Sequence, residues 1–127
     1  MARTTFSGPV ASDNGFIGVF TGDVVGNLTG DVFASVQSLS GAGAVNVTDM
    51  FTSLTTSGVS QALTLANGTA GQLKVITHTV DGGSALLTPT TPLGFSTITF
   101  TAVGDSVTLI YTAAGWVILA SRGVTIA

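Results

Sequence analysis

Hydrophobic and polar residues alternate most clearly between Phe95 and Ala120, in the stretch FSTITFTAVGDSVTLIYTAAGWVILA. A period of two is typical of strands that bury one face. The apolar positions on the expected buried face are Ile98, Phe100, Ala102, Val107, Leu109 and Tyr111. The pattern predicts three strands, at 96–102, 106–112 and 116–120. Gly and Asp residues in the gaps suit tight reversals, so we expect a meander.

Weaker alternation upstream predicts further short strands, at 45–48, 50–55, 61–66, 72–80 and 84–87. The loop at 67–71 has the composition of a hairpin turn. Pro89 and Pro92 cannot donate ladder hydrogen bonds, so 88–94 is predicted to be an edge or a loop. About eight short strands at this spacing indicate a sandwich, a jelly roll or a small barrel. We therefore predict an all-β fold, an antiparallel β-sandwich or jelly-roll-like domain over residues 35–127.

Composition supports an all-β chain and excludes some partners. Charged residues make up 7% of the 127 residues, and Glu is absent. Helices use Glu, Lys, Arg and Gln on their solvent faces, so Thr, Ser and Asn on strands are the better explanation of this surface. With a net charge of -3 and no basic cluster, we expect no nucleic-acid partner. No apolar run is long enough to span a bilayer, so we expect no membrane partner.

The first 34 residues are predicted to be an extended N-terminal arm with a Gly-rich tetrapeptide repeat. Residues 1–14 lack periodicity, and GFIGVF follows at 15–20. From Gly22 to Phe33 the chain repeats Gly, then Asp or Asn, then Val or Leu. The repeat is compatible with a strand that alternates bulky and absent side chains, and equally with a loop containing three turns.

The scarcity of charge also bears on association. Charged surface and net charge keep small domains apart in solution, and this chain has little of either. We therefore expect an oligomer or a docked component of an assembly.

Candidate chemistry is sparse. His78 is the chain's one histidine, and Asp81 and Ser84 follow it, but the G-x-S-x-G pattern of a nucleophile elbow is absent. With no Cys and one His, a zinc site is not expected. Asn27, flanked by Asp23 and Asp31 at four-residue spacing, fits turns better than a calcium loop. We predict no catalytic residues, no metal and no cofactor.

The run from Gly68 to Ile126 resembles a β module of virion structural proteins of tailed bacteriophages, including capsid decoration (cement) proteins and tail-fibre segments. Its most distinctive pieces are GQLKVI, the GFSTITF and AVGDSVTLIYT runs, and the Gly115-Trp116 pair. The resemblance implies a structural, non-enzymatic role, commonly as a homotrimer on a virion. It covers about half of the chain and does not separate head from tail.

From the resemblance and the small size we predict a capsid decoration protein that binds the major capsid protein and stabilises the lattice. It would be made in the host cytoplasm, since no secretory signal is evident, and would end on the virion capsid surface. The expected capsid contacts are Phe6, Phe16, Ile17 and Phe20. The expected subunit interface is Val24, Leu28 and Val32. The alternatives are a tail-fibre or spike component that binds a host glycan through Thr, Asn, Tyr111 or Trp116, and a small hydrolase that uses His78.

Overall fold

The structure is a computed structural model that describes residues 21, 25–27 and 29–127. This part of the chain forms ten strands and no helix, which confirms the all-β prediction. No helix that could cross a membrane is therefore present among the described residues. The strands are β1 Val36–Ser40, β2 Gly43–Val45, β3 Phe51–Thr55, β4 Gln61–Leu65, β5 Leu73–Val80, β6 Ala85–Pro89, β7 Ile98–Phe100, β8 Ser106–Thr112, β9 Gly115–Arg122 and β10 Thr125–Ile126. All ten belong to the compact unit Val32–Ala127.

The strands build two sheets of five. Sheet A has the order β1-β3-β5-β8-β9, and sheet B has the order β10-β7-β6-β4-β2. Strands β1 to β6 alternate between the two sheets. Within sheet A, β1 pairs in parallel with β3 and β3 with β5, and within sheet B, β2 pairs in parallel with β4 and β4 with β6. The chain thus winds through three coils, β1–β2, β3–β4 and β5–β6, in the manner of a short solenoid. The remaining ladders, made by β7 to β10, are antiparallel.

The prediction of an antiparallel sandwich is therefore wrong for the first six strands. The loop at 67–71 does not close a hairpin, because β4 and β5 lie in different sheets. The expected meander is reduced to the β8–β9 hairpin, since β7 belongs to sheet B. The parallel coils also differ from the antiparallel Greek keys of a jelly roll. Period-two alternation reports that one face is buried, and it is the same for parallel and antiparallel pairing.

Pro89 lies in a central strand, so the prediction of an edge or a loop over 88–94 is wrong for 88–89. It is confirmed for 90–94, which belong to no strand. Pro89 ends β6, between β4 and β7. The ladder from β6 to β7 stops at Leu87, whereas the ladder from β6 to β4 continues to Pro89. Thr90 N then donates to Leu65 O at 2.9 Å. The main-chain groups of alternate residues point to opposite neighbouring strands, and those of Pro89 point towards β7. Because β7 has already ended there, the missing N–H of Pro89 removes no ladder hydrogen bond.

Side chains from both sheets join in one hydrophobic cluster between them. Five of the six predicted inward positions are confirmed: Ile98, Phe100, Val107 and Leu109 are buried, and Tyr111 packs against the cluster. The sixth, Ala102, is wrong, because β7 ends at Phe100 and Ala102 is exposed. The other buried members are Val45, Leu54, Leu63, Leu65, Ile76, Ala85, Leu87 and Trp116. The architecture is thus two mixed sheets around a shared core.

Candidate interaction surface

Two rows of apolar side chains cross the outer side of sheet A, at the end where β3 and β5 begin. We call them the apolar face: the row Val36, Phe51 and Val75, and the row Leu73, Ile110 and Val117. Val36 is 56% exposed and Leu73 is 40% exposed. The other four members are half-buried. No member is charged, and towards the other end the outward positions become polar, as in the Ser53–Thr79 hydroxyl pair at 2.8 Å. A partly exposed apolar surface of this kind is typical of a contact site.

The edges of the sheets differ in how they are protected. At the β2 edge of sheet B, the side-chain amide of Gln37 takes the place of a neighbouring strand. Its Nε2 donates to Ala44 O at 2.9 Å, and its Oε1 accepts from Asn46 N at 2.9 Å. These are main-chain groups of the kind that an edge exposes to a foreign strand. Gln37 therefore blocks β2 from pairing with another chain.

The other end of each sheet is also protected. The beginning of β9 is covered by the connection from β6 to β7, because Trp116 N donates to Thr91 O at 2.8 Å and Leu93 N donates to Trp116 O at 2.9 Å. The ladder between β8 and β9 shifts register after Thr108, and such a bulge disfavours further pairing. Strand β10 has only two residues. Neither β9 nor β10 offers a long regular edge.

Strand β1 is different, because nothing in the described part of the chain pairs with its outer edge. Phe51 N donates to Ser35 O at 3.0 Å and Gly41 N donates to Thr55 O at 2.9 Å, so the odd-numbered residues face β3. The main-chain groups of the even-numbered residues point away from the sheet: Val36, Ser38 and Ser40. The strand contains no charge and no proline. We call this row of main-chain groups the β1 edge.

A polar cluster with one buried member, Lys74, and two half-buried members, Asn46 and Asp49, lies at the start of β5. Lys74 points inward from the sheet and is 1% exposed. Its Nζ donates to Asp49 O at 2.8 Å, in the connection from β2 to β3. Asn46 Nδ2 donates to Asp49 Oδ2 at 2.7 Å, and Asp49 N donates to Asn46 Oδ1 at 3.0 Å. Burial lowers the pKa of Lys74 to about 8, against the opposing effect of the Asp49 charge.

A second polar cluster lies at the far end of the same strands and superficially resembles a catalytic relay. His78 Nε2 lies 2.9 Å from Thr56 Oγ1. Thr56 Oγ1 donates to Gly83 O at 2.7 Å and accepts from Gly82 N at 2.9 Å. Because its one hydrogen is used, Thr56 accepts from His78 Nε2, and the hydroxyl is fully engaged. Both side chains are buried, so the cluster holds the turn after β5 rather than presenting a nucleophile.

His78, Asp81 and Ser84, the residues from which the sequence could supply a catalytic relay, do not form one. Asp81 Oδ1 accepts from Gly83 N at 2.9 Å, and Ser84 Oγ accepts from Ser60 N at 3.0 Å. Neither side chain is a hydrogen-bond partner of His78, whose Nδ1 has no partner among the described residues. The geometry therefore gives no support to the hydrolase alternative.

Asp105 closes the same end of the core. Its main-chain O accepts from His78 N at 2.8 Å, and its Oδ2 accepts from Thr101 N at 2.7 Å and Ala102 N at 3.0 Å. Burial alone would raise the pKa of this carboxyl, but the hydrogen bonds from Thr101 and Ala102, with the nearby His78, lower it overall. Gly123 packs against the carboxylate at φ +75°, where a Cβ would overlap Oδ1. Asp105 thus fixes two chain segments in place.

Trp116 is part of the core rather than a platform for a glycan. It is fully buried, its Nε1 donates to Ala66 O at 2.9 Å, and its ring meets Tyr111 edge-on at 5.1 Å between centroids. Gly68 lies against the indole, where a Cβ would come within 3.1 Å of it. Stacking of a sugar on Trp116 would require this packing to open, while Tyr111 is only half-buried.

Most residues predicted to make contacts lie outside the described part of the chain: Phe6, Phe16, Ile17, Phe20, Val24 and Leu28. Val32 is described, belongs to no strand and is 76% exposed. In the Gly repeat, the chain bends at Gly26 and Gly30, with φ of +135° and +132°. The described residues of the repeat belong to no strand. No three acidic, His or Cys side chains within the described residues are grouped to hold a metal.

The sequence pattern did not identify the apolar face or the β1 edge. A signal for part of the face was present, because Leu73 and Val75 alternate with Lys74 and Ile76 along one strand. The edge left no signal, since it depends on which strands pair.

Comparison with known proteins adds no relative: no family model matches the chain, and no curated protein matches it.

Proposed function

We propose that this chain is a capsid decoration (cement) protein, which binds the outer surface of an assembled phage head and stabilises the coat-protein lattice. The observation that carries the proposal is the uncharged apolar face beside the unpaired β1 edge. Such a surface is suited to being covered in an assembly. The resemblance of residues 68–126 to virion β modules supports the same role.

The polar groups best suited to chemistry have structural partners instead. Lys74 binds a main-chain carbonyl, and Thr56 joins His78 to a turn. A structural role is therefore proposed, without catalysis, metal or cofactor. Stabilisation would come from mass action, since a protein that binds only the assembled shell shifts the equilibrium towards it.

In this proposal the N-terminal arm contacts the major capsid protein through Phe6, Phe16, Ile17 and Phe20. The protein is a homotrimer, with Val24, Leu28 and Val32 at the subunit interface. Val32 supports this placement because an apolar side chain that is 76% exposed gains from being covered.

A second candidate is a tail-fibre or spike component. The observation that favours it is the winding of β1 to β6 through three parallel coils, because coils stack in one dimension and suit a shaft. The burial of Trp116 weighs against its use as a sugar-binding residue in that role.

The test is the copy number of this chain in purified virions, measured by mass spectrometry as a ratio to the major coat protein. A ratio near unity is expected for a protein that covers the lattice. A handful of copies per particle would favour the tail or a single vertex. Absence from the virion would overturn both structural roles.

A further inference from the structure

The β1 edge is the undefended edge among the four that the described residues form. Gln37 blocks β2, a loop and a bulge protect β9, and β10 is too short to offer a ladder. A regular edge without such protection is a template for another strand, because its main-chain groups are otherwise unpaired. The groups available here belong to Val36, Ser38 and Ser40.

The segment immediately before β1 is an exposed stretch that could pair with such an edge. Residues 32–35 belong to no strand and are exposed, with Val32 at 76% and Phe33 at 87%. These two side chains add apolar surface next to Val36, which is itself 56% exposed. The segment carries no charge, so nothing on it repels the equally uncharged β1.

The segment cannot lie beside its own β1. Ser35 O accepts from Phe51 N at 3.0 Å, and Ser35 Oγ accepts from Met50 N at 3.2 Å. These bonds hold Ser35 beside β3, so residues 32–35 continue β1 along its own axis. They therefore cannot also lie alongside β1. Residues 32–35 can therefore occupy the β1 edge of a second copy but not the β1 edge of their own chain.

We propose that the β1 edge is a self-association site that takes residues 32–35 of a second copy of this chain. The second copy's segment adds a strand to sheet A, pairs with the free groups of β1, and brings Phe33 onto the end of the apolar face. Val32 then points to the opposite side of the sheet, because adjacent residues of a strand face opposite ways. Edge and segment are different surfaces, so the contact is head-to-tail and closes into a ring when the rotation permits. The inference deepens the proposed function and rests on the self-association within it.

The test is the oligomeric mass of the purified full chain, by light scattering coupled to gel filtration, for the wild type and three variants. Ser38→Pro removes one donor from the β1 edge and none from the ladder to β3, because Ser38 faces away from it. Proline is tolerated at such positions of edge strands. Ser38→Ala is the matched control, since it keeps the main-chain donor. Phe33→Ser removes the apolar side chain of the incoming segment without altering β1.

Wild type and Ser38→Ala are expected to form the same oligomer, and Ser38→Pro and Phe33→Ser are expected to lose it while keeping the wild-type circular dichroism. A folded Ser38→Pro variant with the wild-type mass would overturn the proposal, as would a monomeric wild type. If Ser38→Pro fails to fold, Phe33→Ser decides: an unchanged mass overturns the proposal. The mass measurement does not involve a virion, so the two proposals can fail separately. If the variants lose the oligomer and the wild type is absent from virions, only the decoration role is overturned.

Discussion

At the start of β3 and β5 the inner face of sheet A carries Thr52 and Lys74, and at the far end of the same strands it carries Thr56 and His78. Both pairs are buried, and apolar residues separate them. Lys74 brings an amine to a main-chain carbonyl in the turn before β3, whereas Thr56 uses a hydroxyl to bind the turn after β5. In each place the chain crosses between sheets, and its main-chain groups have no ladder partner. Inward polar side chains replace the ladder there.

The two ends differ in what they require. The Thr56 end depends on one hydroxyl that joins three partners and carries no charge. The Lys74 end depends on an amine whose pKa is lowered to about 8 by burial. We therefore expect the first end to be sensitive to loss of a single oxygen and the second to be sensitive to pH.

The largest effect is expected for Thr56→Val, which keeps the shape of the side chain and removes the hydroxyl. Gly82 N, Gly83 O and His78 Nε2 each lose a partner, and unsatisfied buried groups are costly. The free energy of unfolding should fall by about 3 kcal/mol, measured by urea denaturation. The control Thr55→Val, on the opposite face of β3, should stay within about 0.5 kcal/mol of the wild type. Equal effects of the two variants would contradict the role given to the Thr56 hydroxyl.

The next effect concerns alkaline stability. The folded protein holds the pKa of Lys74 at about 8, below the ordinary value of 10.5. Between these values the unfolded chain binds a proton that the folded protein does not, so the free energy of unfolding rises with pH across this window. The full difference in pKa corresponds to about 3 kcal/mol. Solvent screening at the half-buried Asn46 and Asp49 reduces the expected rise to about 2 kcal/mol, measured by denaturation at several pH values.

Lys74→Met is the matched variant, because it keeps the apolar stem and has no amine. Lys74 is the chain's one lysine, so no other lysine titrates in this window. The rise should be absent from the variant. Parallel stability curves for wild type and variant would show that burial of the amine does not couple to folding.

How far the sequence anticipates these features depends on the range of the interactions involved. Alternation correctly placed Lys74, Ile76 and His78 on one face of a strand, because that relation is local. It placed Val80 there as well, which is wrong: the register of β5 shifts before Val80, which is 53% exposed. The partner of Lys74 is Asp49, on a different coil, and a period of two carries no information about it.

Strand β1 illustrates why an edge escapes prediction. Its sequence, VQSLS, places the polar Gln37 inward to block β2 and leaves Val36 outward. The alternation is thereby lost, and no strand was predicted there. Pairing direction was missed for a related reason, since half-buried strands show the same alternation in solenoid coils and in hairpins. The contact surface proposed for this protein depends on both of these non-local facts.

The smallest effect is expected at Asp105, which completes the His78 end. Asp105→Asn replaces a carboxylate that accepts from Thr101 N and Ala102 N with a neutral amide, so charge-assisted hydrogen bonds become ordinary ones. We expect the free energy of unfolding at pH 7 to fall by about 1 kcal/mol.

The pKa of Asp105 is lowered in the folded protein, so its contribution is present above the ordinary value of 3.8 and is lost as the pH falls below it. The variant and the wild type should therefore converge in acid, while Asp31→Asn, at an exposed residue outside the strands, should match the wild type throughout. A difference that persists undiminished in acid would assign the effect to packing rather than to the carboxylate charge.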